Sequence, residues 1–269
     1  MNTRFSRQSF LGEHSPETLA HSRIGIIGLG GGGSHIAQQL AYLGVGHFVL
    51  YDDDRIEDSN LNRLVGGTAR DVPLRTLKTT IARRTIKQVN PTAKVVEFPT
   101  LWQHDALRLR HCDVIFGCVD SYSAREQIER TCRRFLIPYI DIGMDVTESP
   151  IGCVISGQLI VSIPGSLCMR CVGFLNEDLL TQEAARYGAA GARPQVIWPN
   201  GILASLAIGS FVQLVTPWHR ECSDMIYLEY DGNTQMVCPS NRLKYLTDKI
   251  CHHFSSRTDL GDPFWPTGV

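Results

Sequence analysis

The chain has no surplus of charge. Its 26 Lys and Arg stand against 27 Asp and Glu, a formal net charge of −1. A polyanion such as nucleic acid is therefore not an expected partner. Long apolar runs are also missing. The longest, Ile202 to Val215, is too short and too interrupted to predict a bilayer span, so no membrane partner is expected. The residues from Met1 to Arg7 carry charge without an apolar stretch behind it, which does not read as a secretory signal. There is no internal repeat and no low-complexity linker, so residues 1–269 are expected to form one continuous domain. Nine cysteines, an odd number scattered along the chain, read as reduced thiols in the cytoplasm rather than a disulfide framework.

What is present is concentrated between residues 24 and 63. An apolar segment, Ile24 to Ile27, runs into Gly28, Gly30 and Gly33, which match G-x-G-x-x-G. That motif is credible when a strand precedes it and a helix follows, here predicted from His35 to Leu43. Glycine permits the tight turn and lets the backbone approach a phosphate, and the free N–H groups of the helix start favour an anion. A second strand, Phe48 to Tyr51, ends in Asp52-Asp53-Asp54. Asp52 follows Gly28 by 24 positions, which suits a carboxylate holding a ribose hydroxyl. Ser59-Asn60-Leu61-Asn62-Arg63 comes soon after and supplies an amide and an arginine that dinucleotide binding does not require.

Alternating elements continue. A helix is predicted from Arg70 to Val89 and stops at Asn90-Pro91. Strands are predicted at Lys94 to Phe98, Asp113 to Val119 and Tyr139 to Ile142, with a helix at Ala124 to Phe135 between the last two. This is an α/β pattern, a Rossmann-like doubly wound, mostly parallel sheet. The second half is richer in β pattern. Gly152 to Ile163, Ile226 to Tyr230 and Gln235 to Val237 predict an antiparallel extension, with a hairpin turn at Asp231 to Thr234 and a core helix at Ile202 to Val215. The nucleotide-binding half is placed at 1–145 and the extension, late helix and tail at 146–269. Asp262-Pro-Phe-Trp-Pro266 reads as a tail or docking segment.

These motifs, in this order, resemble the ThiF/MoeB/HesA family, which shares its adenylation fold with ubiquitin-activating enzymes. The resemblance runs from Arg4 to about Val215, and more faintly to Cys238. It is carried by Arg4-Phe-Ser-Arg7-Gln8, the Gly28 loop, Asp52-x-Asp54, Ser59-Asn-Leu-Asn-Arg63, Lys78 ahead of Asn90-Pro91, and Asp113-Val-Ile-Phe-Gly-Cys-Val-Asp120. It implies an ATP-dependent adenylyltransferase, usually dimeric, that converts a C-terminal carboxylate and ATP into an acyl-adenylate and pyrophosphate. The implied acyl substrate is a small ubiquitin-like or sulfur-carrier protein ending in glycine, with a conjugating or sulfur-transfer protein possible downstream. The resemblance places Asp52 on the ribose, with Asp54 beside it, and Asn60 and Arg63 on the phosphates. Lys78 falls on the β/γ-phosphate charge and Asp120 on Mg²⁺. Arg7 is implied to reach a neighbouring subunit's site. The chemistry needs such parts, because attack on the α-phosphate builds negative charge that fixed cations and Mg²⁺ stabilise. One or two carboxylates suffice for Mg²⁺.

The chain departs from the family at two places. Ubiquitin-activating relatives carry a nucleophilic cysteine in the crossover region, but Val172 to Pro199 contains none, so adenylation without an enzyme thioester there is expected. Relatives bind structural Zn²⁺ through two C-x-x-C pairs. Cys168-Met-Arg-Cys171 matches the first, and Cys238-Pro-Ser-Asn241 has asparagine in place of the last thiolate. His219, Cys222 or Cys251 could complete a zinc set, or the thiols could remain reduced or form a redox pair. Cys112, Cys118, Cys153 and Cys222 read as structural thiols. Trp198-Pro-Asn-Gly201 reads either as a wall of the substrate channel or as a helix start capped by Asn200. Rival functions are adenylation of a peptide or of a tRNA-base carboxylate, a non-catalytic half of a heterodimer, and an NAD-dependent oxidoreductase. The last explains Gly28 to Asp52 but leaves Arg7, Asn60, Arg63, Lys78 and Asp120 without a purpose.

Overall fold

A computed structural model describes residues 3–185, 194–219, 226–246 and 250–254. Cys222 and the segment 262–266 lie outside the described residues.

β1 (Arg23–Ile27), β2 (His47–Tyr51) and β4 (Val114–Gly117) are almost wholly buried, because helices cover both faces of the sheet and leave no wet side. With β3 (Lys94–Phe98), β5 (Tyr139–Ser149), β6 (Gly152–Ser162), β7 (Ile226–Asp231) and β8 (Met236–Pro239) they form one eight-stranded sheet in the order β3-β2-β1-β4-β5-β6-β7-β8. The pairs from β3 to β5 are parallel. The pairs from β5 to β8 are antiparallel. A single sheet thus runs through both halves, parallel first and antiparallel after.

Side chains alternate across it. Ile24 and Ile26 of β1, Phe48 and Leu50 of β2 and Val114 and Phe116 of β4 join one core with α2 (Gly31–Leu43), α3 (Lys78–Val89) and α6 (Ile197–Val215). Val49, Ile115 and Tyr139 point the other way, into a second core under α4 (Tyr122–Arg134) and the 3-10 segment Trp102–His111. A short α1 (Ser15–His21) precedes β1, and α5 (Glu177–Ala185) follows β6.

Several boundaries differ from expectation. α2 begins at Gly31 rather than His35, because the glycines themselves form its first turn. A Cβ on Gly31 would fall 2.6 Å from the Asn200 amide, and one on Gly32 would fall 2.7 Å from Ile142 Cδ1. The helix expected from Arg70 begins only at Lys78, since the chain turns before it through Arg75, whose φ is +45°. β5 continues to Ser149 and pairs with β6 along its whole length.

α6 is longer than expected, with 19 residues starting at Ile197. By length and composition alone it could cross a membrane, yet half of its apolar window is buried inside the fold against α2, β5 and β6.

Candidate active site

The strand order turns at β1, which lies between β2 and β4. The crevice beyond the carboxyl ends of strands at such a point is where open α/β sheets bind ligands. A cavity of about 240 Å³ opens there, lined among others by Gly28, Gly30, Asp52, Arg63, Lys78 and Asp120.

Each wall has a local cause. Gly28 has φ +85°, and a Cβ there would lie 2.5 Å from the Cys118 carbonyl oxygen, so only glycine fits between β1 and the end of β4. A Cβ on Gly30 would meet nothing within 4 Å, so the bare backbone faces open cavity. Gly33 is not part of the lining. It lets α2 pack on the turn, where a Cβ would overlap the Gly28 carbonyl oxygen. Asp52 accepts from the Leu29 N–H at 2.6 Å and the Asp54 N–H at 2.9 Å, which locks its carboxylate beside the glycine turn. Burial pushes this carboxyl above its usual range, and the Lys78 charge pulls back. Each oxygen keeps a second lone pair for a ribose hydroxyl.

Lys78 is the first residue of α3, and its side chain is only 11 % exposed. Its ammonium donates to Asp54 at 2.6 Å and faces the cavity. Arg63 donates to the Ser59 carbonyl at 2.6 Å and to Asn62 Oδ1 at 2.9 Å, which aims its guanidinium from just after the Asp58–Asn60 turn. Asp120 is exposed, three residues beyond β4, and accepts from the Gln195 amide at 3.4 Å.

Asn60 is placed elsewhere, and Arg7, expected at a neighbouring subunit's site, lies away from this chain's own cavity. Asn60 does not line the cavity. Its amide oxygen accepts from the Glu57 N–H at 3.1 Å and closes a capping box around the turn that carries Arg63. Arg7 is exposed on the 3-10 segment Thr3–Leu11, which packs on the far end of α2 through Phe5 against Gly44 and Gln8 against the Leu43 carbonyl. A 13-residue helix, roughly 20 Å long, separates that end from the glycine turn, so Arg7 does not reach the cavity of its own chain.

The cysteine set also needs correction. Cys238 lies on the exposed edge strand β8, opposite Glu229, and is not with the C-x-x-C pair. Instead Cys168, Cys171, Cys251 and His253 bring one donor atom each within 4.8 Å of one another. Cys168 and Cys171 sulfurs lie 3.6 Å apart, and His253 Nδ1 lies 3.6 and 3.3 Å from them. A tetrahedron with zinc–sulfur bonds of about 2.3 Å has edges of roughly 3.8 Å, so three thiols and one imidazole at this spacing fit a structural zinc. His219 is not in the group. Cys112 and Cys118 are held protonated, since burial pushes the first up to about 12 and the second higher still. Cys118 therefore lines the cavity without offering a thiolate.

Sequence reasoning missed Arg125 and Gln195, both in the cavity wall, while Asn200 of the Trp198–Gly201 segment lies in that wall as one of its two expected readings had it. Asn200 is not a helix cap. It sits inside the first turn of α6, buried, donating to the Val196 carbonyl at 2.9 Å. An amide early in an otherwise apolar helix was the available signal.

Comparison with known proteins decides the family. Residues 4–251 match the model of the ThiF family. The chain belongs to the ThiF family. Its relatives include the sulfur carrier protein ThiS adenylyltransferase of Escherichia coli K12, 32 % identical over 65 % of this chain and 68 % of that protein. The molybdopterin-synthase adenylyltransferase of the same organism is 26 % identical over 87 % and 88 % of the two chains. The ubiquitin-like modifier-activating enzyme 5 of Dictyostelium discoideum is 30 % identical, over 58 % of this chain and 42 % of that protein. The expected enzyme class, adenylyltransferase, is that of these named ThiF and molybdopterin-synthase relatives. Among solved structures, E. coli MccB with ATP superposes with a TM-score of 0.73 at 21 % identity, covering 90 % of this chain and 72 % of that one. That likeness establishes the shared Rossmann-type fold.

Proposed function

We propose that this ThiF-family chain is an ATP-dependent adenylyltransferase. It activates the C-terminal carboxylate of a small ubiquitin-like or sulfur-carrier protein. The observation that supports this most is the convergence of Asp52, Arg63, Lys78 and Asp120 on one cavity at the glycine turn, from four separate stretches of chain. Nicotinamide chemistry would use the first and leave the other three idle.

In this reading Asp52 holds the ribose, and the first turn of α2 directs its N–H groups at phosphate. An oxygen of the acyl carboxylate attacks the α-phosphorus. The bond to the bridging oxygen of the β-phosphate breaks, and pyrophosphate leaves with the electron pair. Lys78 and Arg63 are placed to take up the charge that moves onto the leaving group. Asp120 offers the hard oxygen donors that Mg²⁺ takes, and the ion bound there would neutralise phosphate oxygens. With no cysteine between Val172 and Pro199, the adenylate would pass to an outside nucleophile, such as a sulfur-transfer or conjugating protein.

Two further parts of the reading rest on observations outside the cavity. α6 carries no charged residue, and Ile197 and Trp198 remain 45 % and 48 % exposed, with Tyr42 of α2 exposed at 61 %. These exposed apolar residues favour a second copy of the chain, and only in such a pair could Arg7 serve a cavity. The Cys168, Cys171, Cys251 and His253 group is assigned to structural Zn²⁺, which would tie the segment at 251–253 to the loop after β6.

The test is ATP–pyrophosphate exchange with the purified chain and candidate small proteins ending in Gly-Gly, added one at a time. Exchange that requires one candidate and is lost in Asp120→Ala is the expected result. Exchange with a short peptide instead would reassign the acyl substrate. Absence of ATP binding would overturn the reading.

A further inference from the structure

The parallel ladder between β4 and β5 stops at Gly117, opposite Asp141. Cys118 is still tied to the Ile27 carbonyl, at 2.8 Å. Beyond it, the sheet no longer holds the two residues that lead to the cavity, Val119 and Asp120. A side chain takes over. Arg125, the fourth residue of α4, is 5 % exposed and turns into the cavity wall instead of out to water.

Its donors are committed to the ends of the two strands. Nη2 donates to the Val119 carbonyl at 2.5 Å. Nη1 donates to the Asp141 carboxylate and, at 3.2 Å, to the Ile142 carbonyl. The other Asp141 oxygen accepts from the Tyr139 hydroxyl at 2.8 Å. With the Gln158 amide turned as its neighbours require, its oxygen also accepts from Nη1 at 3.1 Å and its nitrogen donates to the Gly143 carbonyl at 3.1 Å. Gly143 is glycine for the same reason, since a Cβ there would overlap the guanidinium.

We propose that Arg125 is a positioning residue for adenylation. It sets the place of Asp120 by clamping the Val119 carbonyl to the end of β5, and it does not itself contact phosphate. Its charge is matched by Asp141, and its two amino groups are already engaged, so it is not a spare cation for the nucleotide. A buried pair of this kind costs desolvation and adds little net stability, but it gives a planar donor that spans two strand ends at once.

This inference rests on the reading of Asp120 as the Mg²⁺ carboxylate, and its test separates the two. Arg125→Met with Asp141→Asn removes both charges together and keeps an acceptor for Tyr139, so no lone charge is left buried. Calorimetry would measure ATP affinity across a Mg²⁺ series, beside thermal melts, for the wild type, the double variant, Asp120→Ala, and all three changes combined. The expected result is near-native melting of the double variant with affinity and Mg²⁺ midpoint weakened by roughly tenfold or more, as for loss of a ligand-orienting group. Adding Asp120→Ala should then weaken binding no further. Native affinity and midpoint in the double variant, with both lost in Asp120→Ala, would overturn the role of Arg125 alone. Losses that add independently would overturn it too. An Asp120→Ala protein with unchanged Mg²⁺ dependence would sink the parent reading and this one with it. If the double variant does not fold, Arg125→Lys serves. Its ammonium can neutralise Asp141 but cannot span to Val119, so the same loss is expected.

Discussion

The two ends of α4 face two different kinds of site. At its N-terminus, the cavity is built from groups already satisfied by the protein. Asp52 is held by two backbone N–H groups, Lys78 by Asp54 and Arg63 by its own turn. Toward its C-terminus, buried Glu129 and Arg133 hold the Ser166–Cys171 loop through the Met169 N–H and the Ser166 and Leu167 carbonyls. There three thiols and an imidazole crowd within 4.8 Å of one another. The first site is preformed for a ligand that comes and goes. The second has the composition of a site completed by a resident ion. The comparison teaches that removing one side chain from the cavity should damage binding, whereas removing one from the cluster should damage the fold.

The sharpest way to break that contrast is Gly33→Ala. The added methyl would strike the Gly28 carbonyl, so the cavity end should in this one case lose stability, by about 4 kcal/mol or more in urea denaturation. A variant with the native midpoint would show that the turn has slack. Next, Lys78→Ala should lower ATP–pyrophosphate exchange by about 10²–10³-fold while leaving the melting temperature almost unchanged. A large drop in melting temperature would mean that this end is structural as well.

At the other end, Cys251→Ser should remove bound zinc, read by elemental analysis. It should lower stability by about 3 kcal/mol, the stabilisation that a ligand gives at a hundred times its Kd. Zinc absent from the wild-type protein would erase the contrast. The smallest effect concerns pH. Burial raises the Asp52 carboxyl, and a ribose hydroxyl needs the ionised form as acceptor. Nucleotide affinity should therefore be full above that raised pKa and fall below it, by up to about tenfold per pH unit, beginning higher than the ordinary 3.8. Asp52→Asn should flatten the curve, and a wild-type curve flat down to pH 4 would contradict the shift.

How much of this the sequence showed depended on what kind of force held each part. β1, β2 and β4 were legible within a residue or two, since strands buried on both faces must be apolar runs. The glycine turn and Asp52 were legible because backbone geometry leaves few substitutes. α2's true start was not, because Gly31 to Gly33 read as loop until Asn200 and Ile142 are seen to press on them. Arg125 looked like one more charge on a helix rich in them, and only the end of the β4–β5 ladder reveals its use. Cys238 was chosen by spacing along the chain. The group that forms instead takes in Cys251, one of three candidates offered to complete the set, and His253, 85 residues from Cys168, where no spacing rule applies.

One feature of the cavity wall bears on kinetics. Asp52, Asp53, Asp54 and Asp120 line it against Arg63 and Lys78, with the Arg125 charge cancelled by Asp141. A polyphosphate approaching this wall meets no positive excess, so its encounter is not drawn in by long-range attraction. The wall's carboxylates outnumber its free cations, so the association rate of magnesium-bound ATP, measured by stopped flow, should rise with added salt as the repulsion is screened.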